Sequence, residues 1–460
     1  MQRIDMTEGD LEKKILQFSI PMFLASLIQN LYNIADRIWV GKFCGETQLS
    51  AVSVIFPVMF LILALSMGMS IGTTVLVSQN IGAKNNDGVI KTIDTSLIIA
   101  SILSVFMTVL GLIFYKYILY FMKVPPEIFE YSKIYMNIIL LGTPFVFFTG
   151  TIAAILRGIG DAKSPTIYMA IAAVTNIVLD PILITGIGIF TPMGVAGAAI
   201  ATIFSQAIGF YLSMNKILKV RTNYQIDKKI HYCQNFVVKI LKLGLPSTIQ
   251  QGLISVSTMV VLSFINSFND VNIIAAFSAG ASFDAMAFLP AMSIGFALST
   301  SAGQNTGAKN IKRIKKTASV GLKLVGIINT IVLIIGYVFA RQIGMLFLND
   351  PEAINQTVIY LRIFCFFYLP FGLMSALNSV TQGIGNTIFP MLVTVASVYF
   401  IRIPLAYFLA FVQNIGVKGV YIAMALSPVF GFIAIASYYY SGIWKKRVLK
   451  RNVLIENEVL

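Results

Sequence analysis

Asn176 and Asp180 stand four residues apart in Asn176-Ile177-Val178-Leu179-Asp180-Pro181, inside an otherwise apolar stretch. On a helix that spacing puts both side chains on one face. Pro181 has no amide hydrogen to donate back to residue 177, which leaves that carbonyl open to a cation or to water. A second acid, Asp36, lies in Asn33-Ile34-Ala35-Asp36-Arg37 near the far end of another apolar run, with Gln29 and Asn30 before it and Thr202 in a third run. Ionisable residues inside apolar segments mark ion or proton pathways. Two carboxylates, an asparagine, a threonine and an open carbonyl offer the oxygen ligands that hard cations prefer. A proton needs only a carboxylate whose affinity for it is raised by burial or by a like charge. The same residues serve either ion, so proton and sodium both stay open; Asp36, Asn176, Asp180 and Thr202 are the ligands a sodium ion would take. Two structural alternatives are an Asp36–Arg37 pair at the interface and a satisfied polar cluster that moves nothing.

A third acid, Asp284 in Gly280-Ala281-Ser282-Phe283-Asp284, has two readings. It faces a cleft and attracts a cationic substrate, or it pairs with Arg362 or Arg402. With Gln29, Asn30, Asn33, Gln250 and Gln251 it completes a set of candidate cleft-lining residues. Nothing points to catalysis. There is no HExxH, no GxSxG and no pair of glutamates, and Gly158-Ile159-Gly160-Asp161-Ala162-Lys163 lacks the Gly-Lys-Ser/Thr ending of a phosphate loop. His231 is the only histidine and reads as a surface residue; Cys44, Cys233 and Cys365 show no ligand spacing. The chain is expected not to be an enzyme and to need no cofactor. Without an ATPase domain, energy must come from an ion gradient or from the substrate's own.

The elements that position these residues must be membrane helices. Hydrophobic residues make up 57% of the chain and charged residues 12%, with a mean hydropathy of +0.82. Soluble domains carry about a quarter charged residues. Apolar runs of about 20 residues recur from end to end, the length that crosses about 30 Å of hydrocarbon, whereas barrel strands are about ten residues of alternating character. We count twelve spans, six between about 15 and 215 and six between about 237 and 442. All are helices, because unpaired backbone groups are too costly in lipid. Acidic residues Asp5, Glu8, Asp10 and Glu12 precede the first span, so it is expected to stay in the membrane rather than be cleaved.

The formal charge of +15 does not mark a nucleic-acid surface. The basic residues fall in short loops, and 25 of the 34 lie on one side of the expected topology. The positive-inside bias makes that side the cytoplasm, with both termini there. The expected setting is a multi-pass protein of the cytoplasmic (inner) membrane, surrounded by lipid, with no nucleic acid and no obligatory protein partner.

The two halves repeat. Gln79-Asn80-Ile81-Gly82-Ala83-Lys84-Asn85 returns 225 residues later as Gln304-Asn305-Thr306-Gly307-Ala308-Lys309-Asn310. At the same offset Gly158-Ile159-Gly160-Asp161 returns as Gly383-Ile384-Gly385-Asn386, Pro165 as Pro390 and Pro21 as Pro246. The expected division is a six-helix bundle at 1–215, a cytoplasmic linker at 216–236, a second six-helix bundle at 237–445 and a cytoplasmic tail at 446–460. Duplicated membrane halves are a transporter's plan.

These motifs, with Asp36-Arg37-Ile38-Trp39-Val40-Gly41, Gly194-x-x-Gly197-Ala198-Ala199-x-Ala201-Thr202 and its echo Gly416-x-x-Gly419, resemble the multidrug and toxic compound extrusion (MATE) family of secondary transporters. The resemblance covers roughly residues 10 to 445. It implies an all-α fold of twelve helices in two homologous bundles around a V-shaped cleft. It also implies export of amphipathic, mostly cationic organic compounds against an inward flow of protons or sodium. On that pattern Asp36 and Asp180 are the coupling acids, with Asn176 and Thr202 as partners. The acidic pair that another branch carries on spans seven and ten is missing, and Asp284 departs from the commonest pattern. A flippase for a lipid-linked sugar precursor is the main alternative, though its cavity needs several cations and only Arg362 and Arg402 offer themselves. A non-transporting membrane receptor or scaffold is the other, against which the repeat and the intramembrane acids weigh.

Overall fold

A computed structural model describes residues 3–188, 190–224, 232–446 and 448. Every regular element among them is helical: α1 (Leu11–Gly82), α2 (Asn86–Phe121), α3 (Pro126–Leu141), α4 (Thr143–Ile159), α5 (Lys163–Thr185), α6 (Val195–Tyr224), α7 (Gln234–Asn266), α8 (Val271–Ala287), α9 (Leu289–Gly307), α10 (Ile311–Val338), α11 (Ala340–Phe347), α12 (Pro351–Gly383), α13 (Ile388–Val395), α14 (Ile403–Tyr407) and α15 (Val417–Ser441). Wide π-helical turns at Ala396–Arg402 and Phe408–Val412 flank α14.

Hydrocarbon thickness explains where the helices break. Ten are long and apolar enough to cross a membrane, eleven when the bent pair α3–α4 counts as one span. At 72 residues, α1 would run roughly 108 Å at 1.5 Å per residue, more than three times the hydrocarbon thickness. It breaks at Gly45, where φ is 81° and ψ 175°, backbone angles that a side chain disfavours. Its two arms carry the spans expected at 15–39 and 51–79, so the described helices accommodate twelve crossings.

The repeated motifs turn out to be helix punctuation. Asn80 and Asn305 each send their amide back to the carbonyl four residues earlier, at 2.9 and 2.8 Å. Lys84 and Lys309 then take positive φ angles of 56° and 58°. Asn85 and Asn310 cap the next helix, accepting from Gly88 and Arg313 amides at 2.9 and 3.0 Å. In the second motif Gly160 and Gly385 close α4 and α12 with φ of 99° and 90°, the left-handed turn for which glycine is suited.

Contacts divide the chain into two compact units. One holds the chain up to Ile4, Pro21–Ile81 and Asn85–Thr248; the other holds Asp5–Ile20, Gly82–Lys84 and everything from Ile249 on. These limits differ from 1–215 and 237–445, because residues 5–20 group with the second unit and residues 216–248 with the first. In the first unit α5 lies along α6, which also receives α3 and α4. In the second, α12 is the central helix, with α8, α9, α10 and α15 packed around it.

Part of the expected linker is helix. α6 continues to Tyr224, because Arg221 forks onto Asp94 of α2 with N–H···O distances of 2.9 and 3.0 Å, and Lys216 pairs with Asp161 at 3.3 Å. These cations were read as topology signals in a loop; both are ion-pair partners. His231, Lys228, Lys229, Arg447, Lys450, Arg451 and most of the tail lie outside the described residues. In the second unit the residue ahead of α1, Met6, is buried. Its amide donates to Gln304 at 2.9 Å, and its carbonyl accepts from Asn305 at 3.1 Å and Arg313 at 2.7 Å.

Candidate ion-coupling site

Three helices of the first unit bring the polar residues together, and a close approach sets their spacing. A Cβ on Gly197 would stand 2.6 Å from the carbonyl carbon and oxygen of Leu183, so only glycine lets α6 begin against the end of α5. Met193 and Gly194 amides also bond back to Leu183 and Ile184 carbonyls at 3.1 and 3.2 Å. Thr202 follows five residues after Gly197, beside the face of α5 that carries Asn176 and Asp180. Asn176 donates to Asp180 Oδ1 at 3.1 Å and to Thr202 Oγ1 at 3.4 Å. From α1, the Tyr32 hydroxyl reaches Thr202 Oγ1 at 3.5 Å, and Asp36 lies one turn further along. Near the start of both helices, the Thr166 hydroxyl of α5 donates to the Pro21 carbonyl of α1 at 2.9 Å.

The Asp36 and Asp180 carboxyls stand within hydrogen-bonding reach of each other. Neither carboxylate can donate, so that approach is favourable only with a proton or a cation between them. Asn176 and Asp180 are completely buried and Thr202 nearly so, while Asp36 is half-buried. Arg37 is not the partner of Asp36; its guanidinium lies over the Phe56 ring, 4.4 Å from the centroid. Three oxygens, Asp36 Oδ1, Asn176 Oδ1 and Asp180 Oδ2, are buried with no hydrogen-bond partner among the described residues. Uncompensated oxygens of this kind are costly in a low-dielectric interior. A bound proton or hard cation removes that cost. Among the described residues no three His, Cys, Asp or Glu side chains gather as metal ligands.

The structure thus brings together Asp36, Asn176, Asp180 and Thr202 and adds Tyr32. The sequence signal for Tyr32 was its spacing of four from Asp36, hidden among nineteen tyrosines. Tyr135 of α3, also buried, feels the charge of both acids. Gln29, Asn30 and Asn33 do not join the cluster: Gln29 is half-buried, Asn30 bonds to the Ser26 carbonyl at 3.0 Å, and Asn33 is exposed.

The second unit treats its own candidates differently. Gln250 is buried and donates to Thr394 at 2.6 Å, while Gln251 is half-buried. Asp284 pairs with neither expected arginine. Its two oxygens accept hydroxyls of Tyr360 and Tyr368, both at 2.5 Å. Arg402 instead bonds to Ser427 at 3.0 Å and covers the Phe367 ring, and Arg362 lies over Tyr337. Both carboxyl oxygens are thus taken by tyrosine hydroxyls rather than by a guanidinium.

Comparison with known proteins places the chain as a whole. The sequence pattern of the family described as MatE matches residues 21–182 and again 246–408. The chain is 30% identical over 438 residues to the probable multidrug resistance protein YoeA of Bacillus subtilis, covering 94% of both chains. It is 24% identical over 442 residues to an FAD transporter of Shewanella oneidensis, covering 95% of this chain and 96% of the other. It superposes with a TM-score of 0.90 and 26% identity on the outward-facing conformation of a multidrug resistance MATE family transporter of the MOP superfamily, covering 98% and 99% of the two chains.

Proposed function

Because the chain belongs to the MatE family, and is therefore a multi-pass membrane transporter rather than an enzyme, we propose that it exports amphipathic, mostly cationic organic compounds from the cytoplasm in exchange for protons taken up by Asp36 and Asp180. The observation that carries this reading is the approach of two carboxyls with no basic residue between them, joined through Asn176 to Thr202. With a shared proton the pair tolerates its approach. Losing that proton leaves two like charges that repel, which drives α1 away from α5. The two arrangements therefore differ in proton occupancy, the condition for an ion gradient to bias one over the other.

A second reading, sodium in place of the proton, draws on the three partnerless oxygens of Asp36, Asn176 and Asp180. Those are the ligands a hard cation would take. The cytoplasmic placement of both termini and the inner-membrane location belong to the same proposal.

The substrate class is tested by expressing the protein in a drug-sensitive cell and following accumulation of ethidium-type dyes. Lowered accumulation, restored by the Asp180→Asn substitution, is the expected result. Unchanged accumulation across a panel of organic cations, with transport of a lipid-linked sugar or of an anionic dinucleotide such as the FAD transporter's namesake, would overturn the cation assignment. Absence of any substrate flux would revive the receptor reading.

A further inference from the structure

Asp284 is the buried acid that the coupling site does not use. It sits on α8, one turn after Gly280, and the two positions make a single built surface. A Cβ on Gly280 would stand 2.2 Å from the Tyr360 ring, so glycine lets that ring lie flush on α8 with its hydroxyl at Asp284 Oδ2. Tyr368, two turns further along α12, donates to Oδ1. Phe277 and Phe283 meet the same two rings edge-on, with centroids at 5.6 and 6.3 Å. Tyr421 of α15 stands against Tyr360 at 4.9 Å, and its own buried hydroxyl has no partner among the described residues.

No charge compensates the carboxylate. Among the described residues α8 carries no other titratable side chain and α9 none. The titratable groups of α12 nearest to it are Tyr360, Cys365 and Tyr368, and Tyr421 is that of α15. Arg362 and Arg341 are exposed, as are Glu352 and Lys418, and Arg402 is turned to Ser427. An ionised carboxylate held by two neutral donors in an aromatic core is poised to take a proton. A metal ion is a poor occupant, because both oxygens already accept hydroxyls.

The geometry points to Asp284 as a further proton-binding carboxyl, separate from Asp36 and Asp180, whose protonation loosens α8 from α12. Ionised, it accepts both tyrosines and ties the two helices at two points. On protonation one Oδ takes a proton from hydronium, which is left as water, and becomes a hydroxyl. That oxygen is then a weak acceptor, and one tyrosine loses its tie. The inference goes beyond the antiport reading and does not rest on it.

Infrared difference titration of the purified full-length protein tests it. A protonated-carboxyl C=O band is expected to appear as pH falls, to vanish in Asp284→Asn and to persist in the Asp36→Asn/Asp180→Asn double variant. Tyr360→Phe and Tyr368→Phe each remove a donor from the ionised form. Each is expected to tighten proton binding about tenfold and move the midpoint up by about one pH unit. These two variants carry the test if Asp284→Asn does not fold. Amide exchange in α8, corrected for intrinsic rates, should be faster at low pH in the wild type and fast at both pH values in Asp284→Asn. An Asp284 band absent at every accessible pH, or midpoints unmoved by both tyrosine substitutions, would overturn the inference. Failure of transport coupling at Asp180 would leave it untouched.

Discussion

Gly197→Ala isolates the contact that places Thr202 at the proposed coupling site. The added Cβ would meet the Leu183 carbonyl at 2.6 Å, whereas carbon–oxygen and carbon–carbon contacts settle near 3.5 Å or more. The obstacle is backbone, so no side chain can swing aside, and the start of α6 must retreat from α5 by about 1 Å. The Asn176–Thr202 bond is already 3.4 Å long and does not survive such a shift. Overpacking of this kind costs roughly 1–3 kcal/mol. The echo position supplies a control, since a Cβ on Gly419 would stand 2.7 Å from Leu409 in the second unit. Both alanine variants are expected to lose similar stability in detergent unfolding. Only Gly197→Ala is expected to weaken ion-driven export in vesicles, by several-fold at equal protein. Wild-type export by Gly197→Ala, or equal loss from Gly419→Ala, would refute the link between this contact and coupling.

Breaking the buried Asp94–Arg221 fork should be the largest single loss of stability outside the site. Asp94→Asn is expected to cost about 3–5 kcal/mol by taking the carboxylate charge away from the partly buried Arg221 guanidinium, and the Asp94→Leu/Arg221→Met double variant should regain most of it in the same unfolding assay. Gly160→Ala places a side chain at φ 99° and a Cβ 2.4 Å from the Ile4 carbonyl oxygen; a loss of about 1–3 kcal/mol is expected, with earlier proteolysis near the N-terminus. Near that terminus, burial alone would raise the Asp5 carboxyl, but hydrogen bonds from the Thr7 hydroxyl and amide and the charges of Lys14 and Arg313 outweigh it and hold it below 3.8. A depressed carboxyl contributes stability above its unfolded value that is lost as pH falls through the folded one. Amide exchange in residues 6–9, corrected for intrinsic rates, should therefore accelerate on acidification below 3.8, and Asp5→Asn should abolish that step.

Spacing made part of the polar cluster legible in the sequence. Asn176 and Asp180 share a helix face whatever the tertiary fold, and acids in apolar runs are too costly to be incidental. Thr202 was reachable as an oxygen ligand in a third apolar run and as the last residue of the motif Gly194-x-x-Gly197-Ala198-Ala199-x-Ala201-Thr202. Tyr32 was not, since a tyrosine in a membrane helix has no signature that separates a ligand from packing. The partners of Asp284 escaped for the same reason: a buried acid suggested an arginine, while Tyr360 and Tyr368 looked like ordinary membrane aromatics. Arg221 was misplaced because hydropathy reports where apolar character ends, and α6 continues beyond that point. The repeat motif marked duplicated halves correctly as a sequence feature. It could not reveal that Gln304 and Asn305 would hold Met6, because that contact joins residues almost three hundred positions apart.

The most direct test of the account is export by purified protein in sealed vesicles under an imposed proton gradient and, separately, an imposed sodium gradient. The wild type is expected to move an organic cation against its own gradient when protons are supplied, and Asp36→Asn and Asp180→Asn are expected to fold and bind substrate but fail to concentrate it. Drive by sodium alone would transfer the site to the cation that the three partnerless oxygens also fit. Normal gradient-driven export by Asp180→Asn would contradict the account, leaving the paired acids as structure without a part in coupling.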